Sequence, residues 1–107
     1  MRLTRPTALV LVALSRGLRH GFDVVDATGL ESGTVYPILR RLDDAGCVRS
    51  RWEPVTHARE EGRPPRRYYE LTGAGAAMLR DALARHPDVV GAFAPRGARG
   101  VPRPRPA

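Results

Sequence analysis

At 107 residues, with a formal net charge of +7 and a sequence pI near 11.1, the chain has room for one domain with a modest core and favours a polyanionic partner such as nucleic acid. All eighteen basic side chains are arginine, and lysine, asparagine and glutamine do not occur, so the bias reflects a GC-rich coding sequence more than selection for guanidinium chemistry. One cysteine, Cys47, excludes an internal disulfide and a cysteine-based zinc site, and His20, His57 and His86 lack ligand spacing, so neither metal nor cofactor is expected.

The first element is the apolar run Ala8 to Leu14, ALVLVAL, preceded by Arg2 and Arg5 in the manner of a secretory signal. The run is at the short limit, no small-x-small site follows, and Arg16 and Arg19 come at once; a buried first helix fits better. It is also too short to span a bilayer, so no membrane is expected. A short second helix starts at His20-Gly21-Phe22 and ends at Thr28, before a Gly29 turn.

The third helix runs from Ser32, whose side chain can cap free amides, to Gly46, which can take the left-handed conformation that ends a helix. At about 100° per residue, Val35, Ile38, Leu39 and Leu42 share one face, and Gly33, Tyr36, Pro37 and Arg40 the other. The first set reads as core and the second as a surface with no acid before Asp43. Pro37 should bend the helix near its start, because it gives up one hydrogen bond and crowds the Gly33 carbonyl.

Cys47 to Glu53 and Arg67 to Leu71 are rich in strand formers, and Pro54 to Arg66 between them is a polar, turn-rich loop, stiffened by Pro64 and Pro65 and basic at its end. Three helices and a hairpin with a basic tip make a mainly α fold with a small β-hairpin, the winged helix-turn-helix; its third helix enters the major groove and its wing lies along backbone or minor groove. Trp52, Tyr68, Tyr69 and Leu71 invite a pocket for a planar ligand, but core packing fits them better. Cys47 is expected to pack as a small apolar residue.

Thr72 is a candidate N-cap for a last helix over about 72–86, which carries Gly75, Met78, Leu79, Ala82 and Leu83 on one stripe and stops at Pro87. That stripe, with the first helix, could pair two chains or pack within one, and Val89, Val90 and Phe93 would extend it. Residues 1–86 are then the DNA-binding domain and 87–107 a Pro/Arg/Gly-rich tail, of disordered composition from Ala94 onward. Residues 96 to 107 supply +4 of the net charge through Arg96, Arg99, Arg103 and Arg105, so the globular part is only mildly basic.

The strings His20-Gly21-Phe22, Ser32-Gly33-Thr34-Val35-Tyr36-Pro37 with Leu39 and Leu42, Gly62-Arg63-Pro64 and Arg67-Tyr68-Tyr69-Glu70-Leu71-Thr72 together resemble the PadR family of bacterial transcriptional regulators, over about residues 4 to 86. The resemblance implies a dimeric, cytoplasmic repressor that binds an inverted-repeat operator in double-stranded DNA and often answers a small-molecule effector. The chain departs from the family pattern in its short second helix and in having one clear helix where many relatives carry a separate multi-helix dimerisation domain.

The expected DNA-binding residues are Ser32, Thr34, Tyr36, Pro37, Arg40, Arg41, Arg63, Arg66 and Arg67. Ser32 and Thr34 would reach phosphates at the positive end of the helix dipole, Arg40 a guanine edge, and Arg63, Arg66 and Arg67 the backbone. Ser15, Ser32 and Ser50 lie in no nucleophile elbow, no glycine loop cradles phosphate, and Asp43-Asp44 and Glu60-Glu61 read as solvated surface, so no enzyme is expected. Two other readings remain open at this point: a winged-helix module for a protein partner, and a nonspecific basic nucleic-acid binder driven by the tail.

Overall fold

The computed structural model describes residues 2–92. In chain order these form α1 (Arg5–Ser15), α2 (Gly21–Thr28), α3 (Ser32–Asp44), β1 (Val48–Trp52), α4 (Val55–Glu60), β2 (Arg67–Leu71), α5 (Gly73–Arg85) and α6 (Val89–Ala92). The apolar run falls inside α1, where Thr4 caps the helix by accepting from the Thr7 amide and Pro6 sits in the first turn, whose amides have no intrahelical partner in any case. Every residue from Thr7 to Leu14 is buried. A helix that is apolar all round has to be surrounded, and α1 is the post against which α2, α3, β2, α5 and α6 pack.

The expected inner face of α3 meets it: Val35, Leu39 and Leu42 are fully buried, as are Val10 and Leu11 of α1 and Val24 of α2. Each such side chain contributes roughly 1.5–3 kcal/mol through burial. Cys47 is buried with its sulfur 3.9 Å from Met78 Sδ, in the packing role expected of it.

The strands pair antiparallel in the register Val48 opposite Leu71 through Trp52 opposite Arg67, a two-stranded sheet among the described residues. His20 adds a bridge to Tyr68, and the Tyr69 amide donates to the Arg19 carbonyl at 2.7 Å, so the chain ahead of α2 lies along the outer edge of β2. Val48, Tyr69 and Leu71 share the face turned to the helices, with Tyr69 buried.

Three expectations need correction. The N-cap of α3 is Glu31, in extended conformation and without a side-chain cap bond, so Ser32 is the first helical residue and caps nothing. The segment after Glu53 is no continuous loop: Val55–Glu60 forms a helical turn and a half, anchored by the buried Ala58. Trp52 is not core, being 61% exposed. It lies at the far end of the hairpin, past the edge of the helices, where its covering is the Arg67 guanidinium, 5.3 Å from the ring centroid.

The stripe on α5 is used within the chain. Thr72 caps the helix by accepting from the Gly75 amide at 3.1 Å, and a Cβ on Gly75 would run into the Cys47 carbonyl. Ala82 is buried, and Met78, Leu79 and Leu83 pack against the core. Beyond Pro87, Val89 is fully buried, and Arg16 donates to the Val90 carbonyl at 2.8 Å, so the folded body reaches past residue 86. Phe93 and the Pro/Arg/Gly-rich stretch fall outside the described residues.

Candidate nucleic-acid interface

Two glycines set the geometry of the helix-turn-helix. Gly29 ends α2 at φ 73°, a conformation most side chains avoid, and the Thr28 hydroxyl accepts from the Leu30 amide to close the turn into α3. Gly21 opens α2 directly beneath the Tyr36 ring, and a Cβ there would overlap the phenol. The absence of a side chain at Gly21 thus lets α3 cross α2 closely enough for Tyr36 to lie over the start of α2.

The outer face of α3 carries Ser32, Gly33, Tyr36, Pro37, Arg40 and Arg41, all exposed, with Thr34 half-buried. The helix is unbroken across Pro37. Within the helix no acid precedes Asp43, the exposed Glu31 standing at its N-cap, and the Asp43 carboxylate is engaged: Ser50 Oγ donates to it at 3.0 Å and Arg67 Nη2 stands 3.7 Å away. The helix surface therefore presents hydroxyls at the end where the backbone dipole favours anions, then an aromatic ring, and two guanidiniums toward its C-terminal half.

The wing is organised around a buried carboxylate. Glu53, the residue after β1, has a side chain only 1% exposed. Arg63 grips it with both terminal nitrogens, at 2.6 and 2.9 Å, the Arg66 amide donates at 3.1 Å, and the Tyr68 hydroxyl donates at 3.2 Å. His57 of α4 adds its Nε2 at 3.3 Å. Donation by Arg63, together with the Arg66 amide and Tyr68, outweighs burial and holds Glu53 at about 2; the same pair raises Arg63 above its usual range. A bidentate guanidinium and a backbone amide on one carboxylate fold the whole segment from α4 to Pro65 back onto the hairpin.

The basic residues expected on the wing thus fall in different places. Arg63 is internal, its side chain 22% exposed and both terminal nitrogens on Glu53. Arg66 is half-buried, with Nη1 3.2 Å from His20 Nε2. Arg67 is at the rim, its Nη2 donating to Ser50 at 2.8 Å beneath Trp52. Arg49 and Arg51 point away from the helices and are exposed, Arg49 3.7 Å from Glu70 and Arg51 over the Tyr68 ring at 5.6 Å. The residues of α3 are brought together as expected. Glu53 and His20 are the organising residues that the sequence did not reveal, since the partners that tie them to the wing, Arg63 and Arg66, lie 10 and 46 positions away. Among the described residues no group of His, Cys, Asp and Glu could hold a metal ion, and no helix is long and apolar enough to cross a membrane.

A helix-turn-helix whose second helix presents a cationic face, followed by a hairpin on the same core, defines a winged helix-turn-helix domain of the DNA-binding class. The sequence pattern of the transcriptional regulator PadR-like family matches residues 10–81, and the chain belongs to that family, one of transcriptional regulators and not of enzymes. Solved structures agree in fold. A PadR family transcriptional regulator of Eggerthella lenta is 29% identical with a TM-score of 0.58, over 81% of this chain and 79% of that one. A PadR-like transcription factor of Bacteroides fragilis is 24% identical with a TM-score of 0.62, over 79% and 82%. The PcaV regulator of Streptomyces coelicolor, solved with its natural ligand, is 22% identical with a TM-score of 0.64 over 91% of this chain, which spans 64% of that protein. No protein of curated function matches the chain in sequence.

Proposed function

We propose that the chain is a repressor that binds an inverted-repeat operator as a homodimer, in the bacterial cytoplasm where the chromosome lies. The observation that carries this reading is the outer face of α3, where Ser32, Thr34, Tyr36, Pro37, Arg40 and Arg41 lie together and the first acid inside the helix, Asp43, is held by Ser50. In the proposal these six residues meet the major groove. Ser32 and Thr34 hold phosphates and Arg40 reads a base edge. Arg67 meets the backbone at the wing, whereas Arg63 and Arg66 act by fixing the wing's shape. Two-fold symmetry in the operator calls for a second copy of the chain. The domain is one body through Ala92, with the arginines beyond it adding sequence-independent affinity. A small-molecule effector belongs to the proposal on the strength of the ligand named for PcaV alone.

The test is fluorescence anisotropy against the gene's own upstream DNA and a shuffled control. A preference of roughly 10³-fold or more is expected of a specific regulator. Arg40→Ala should cost about 1–3 kcal/mol on the operator and relax specificity at one base pair. Arg67→Ala should weaken all sequences alike and lower the salt slope by about one. Equal binding to the two DNAs by wild type, unchanged in Arg40→Ala, would sink the operator reading. Sedimentation of the protein–DNA complex gives the copy number directly.

A further inference from the structure

The start of α2 and the base of the wing meet at His20, where two partners compete for one atom. His20 Nε2 lies 2.9 Å from Asp23 Oδ2 and 3.2 Å from Arg66 Nη1. The side chain is 13% exposed, its ring is 5.9 Å from that of Tyr68, and Nδ1 is buried with no hydrogen-bond partner among the described residues. An imidazole nitrogen carries either a proton or a lone pair. With the proton, in the imidazolium or the neutral Nε2–H tautomer, Nε2 donates to Asp23 and repels Arg66; with the lone pair, in the Nδ1–H tautomer, it accepts from Arg66 and leaves Asp23, 43% exposed, to water.

We infer that His20 is a positioning residue: its neutral ring, accepting from Arg66, ties the wing to α2, and protonation at Nε2 turns it to Asp23 and lets the wing go. The consequence for DNA rests on the reading proposed above; the joint itself does not. The groups facing the ring are Asp23 from α2, Arg66 and Arg63 from the limb leading into β2, Tyr68 from β2, and Glu53 from the end of β1 with His57 of α4 against it. Burial is the largest influence and lowers the His20 pKa; Asp23 and Glu53 act against it, and the two arginines act with it. The ring is therefore neutral at neutral pH and charges only at a lower pH than an ordinary histidine, as the wing is released.

Gln is the informative replacement, because its separate oxygen and nitrogen can accept from Arg66 and donate to Asp23 together at any pH. Histidine-detected ¹⁵N NMR on the DNA-free full chain should find His20 titrating below about 6.5, with the Tyr68 amide and the Arg66 guanidinium shifting at the same midpoint. Neither should shift over that range in His20→Gln. Arg66→Ala, which removes a cation, should raise the His20 pKa. Signals of Arg66 and Tyr68 that ignore the His20 titration, or an Arg66→Ala protein with His20 unmoved, overturn the joint.

On the upstream fragment, wild-type affinity relative to His20→Gln should fall about fivefold, the effect of one lost hydrogen bond, as pH falls through the His20 midpoint found by NMR. Every other group is common to the two proteins, so the ratio isolates His20. Parallel profiles overturn the link between joint and DNA. A coupled titration in a protein that binds no DNA overturns the repressor reading and upholds the joint.

Discussion

Replacing Gly21 with alanine tests the packing that aims α3. An added Cβ would overlap the Tyr36 ring, with the phenol oxygen 2.9 Å away. Overpacking a well-filled site costs typically about 1–3 kcal/mol. Here the obstacle is a side chain and not backbone, and Tyr36 is 46% exposed, so the ring has somewhere to go. The cost should therefore fall near the lower limit, about 1 kcal/mol, a drop in Tm of about 4–8 °C for a body of this size.

The functional loss should exceed the stability loss, because the relief moves Tyr36 out of the surface proposed to meet DNA. A double-mutant cycle separates the two explanations. In a Tyr36→Ala background the methyl group has no ring to meet, so Gly21→Ala should be nearly neutral there, giving a coupling energy of about 1 kcal/mol by thermal or urea unfolding. Gly33→Ala is the control, with nothing within 4 Å of its added Cβ, and it should leave stability level or slightly raised. An equal cost of Gly21→Ala in both backgrounds would refute the reasoning, since the penalty would then belong to the α2 backbone and not to the ring.

Gly75→Ala should be worse than Gly21→Ala, because its Cβ meets the Cys47 backbone, which cannot swing aside; a loss beyond the ~1 kcal/mol that alanine gains in a helix is expected. Gly73→Ala, two residues earlier with open space, should be level or stabilising, and identical melting curves for the pair would remove the close approach of α5 to Cys47 as a constraint. Glu53→Gln should lower stability at neutral pH and flatten its acid dependence. Because the folded pKa of Glu53 lies at about 2 against an ordinary 4.5, its contribution is complete above about pH 4.5 and is lost as pH falls toward 2. Urea midpoints of wild type and variant should therefore converge in acid, and a constant gap would show that the loss is not electrostatic. The single tryptophan, Trp52, should emit at a solvent-exposed wavelength in the native protein and shift little on unfolding; a blue-shifted native emission would mean that a second chain or segment covers the wing.

What the sequence made legible was whatever one element decides for itself. The period of Val35, Ile38, Leu39 and Leu42 assigns the inner face of α3 without knowledge of what it meets, and by subtraction exposes Tyr36, Pro37 and Arg40. Residues whose role depends on a distant partner were not legible. Trp52 looked like core because large aromatic strand residues usually are, yet strand register carries it beyond the helices and opposite Arg67. Six residues of α4 are too few to hold a helix by propensity, and tertiary anchors stabilise them instead: Ala58 against the body and His57 on Glu53. Glu53 reads as one more surface acid in an arginine-rich chain, and only the fold brings Arg63, the Arg66 amide and Tyr68 around it. The same holds for the arginines. The sequence counts them and the fold divides them, setting Arg63 and Arg66 inside the wing as struts while Arg40 and Arg41 stand outside, so the charge available to DNA is a property of packing before it is one of composition.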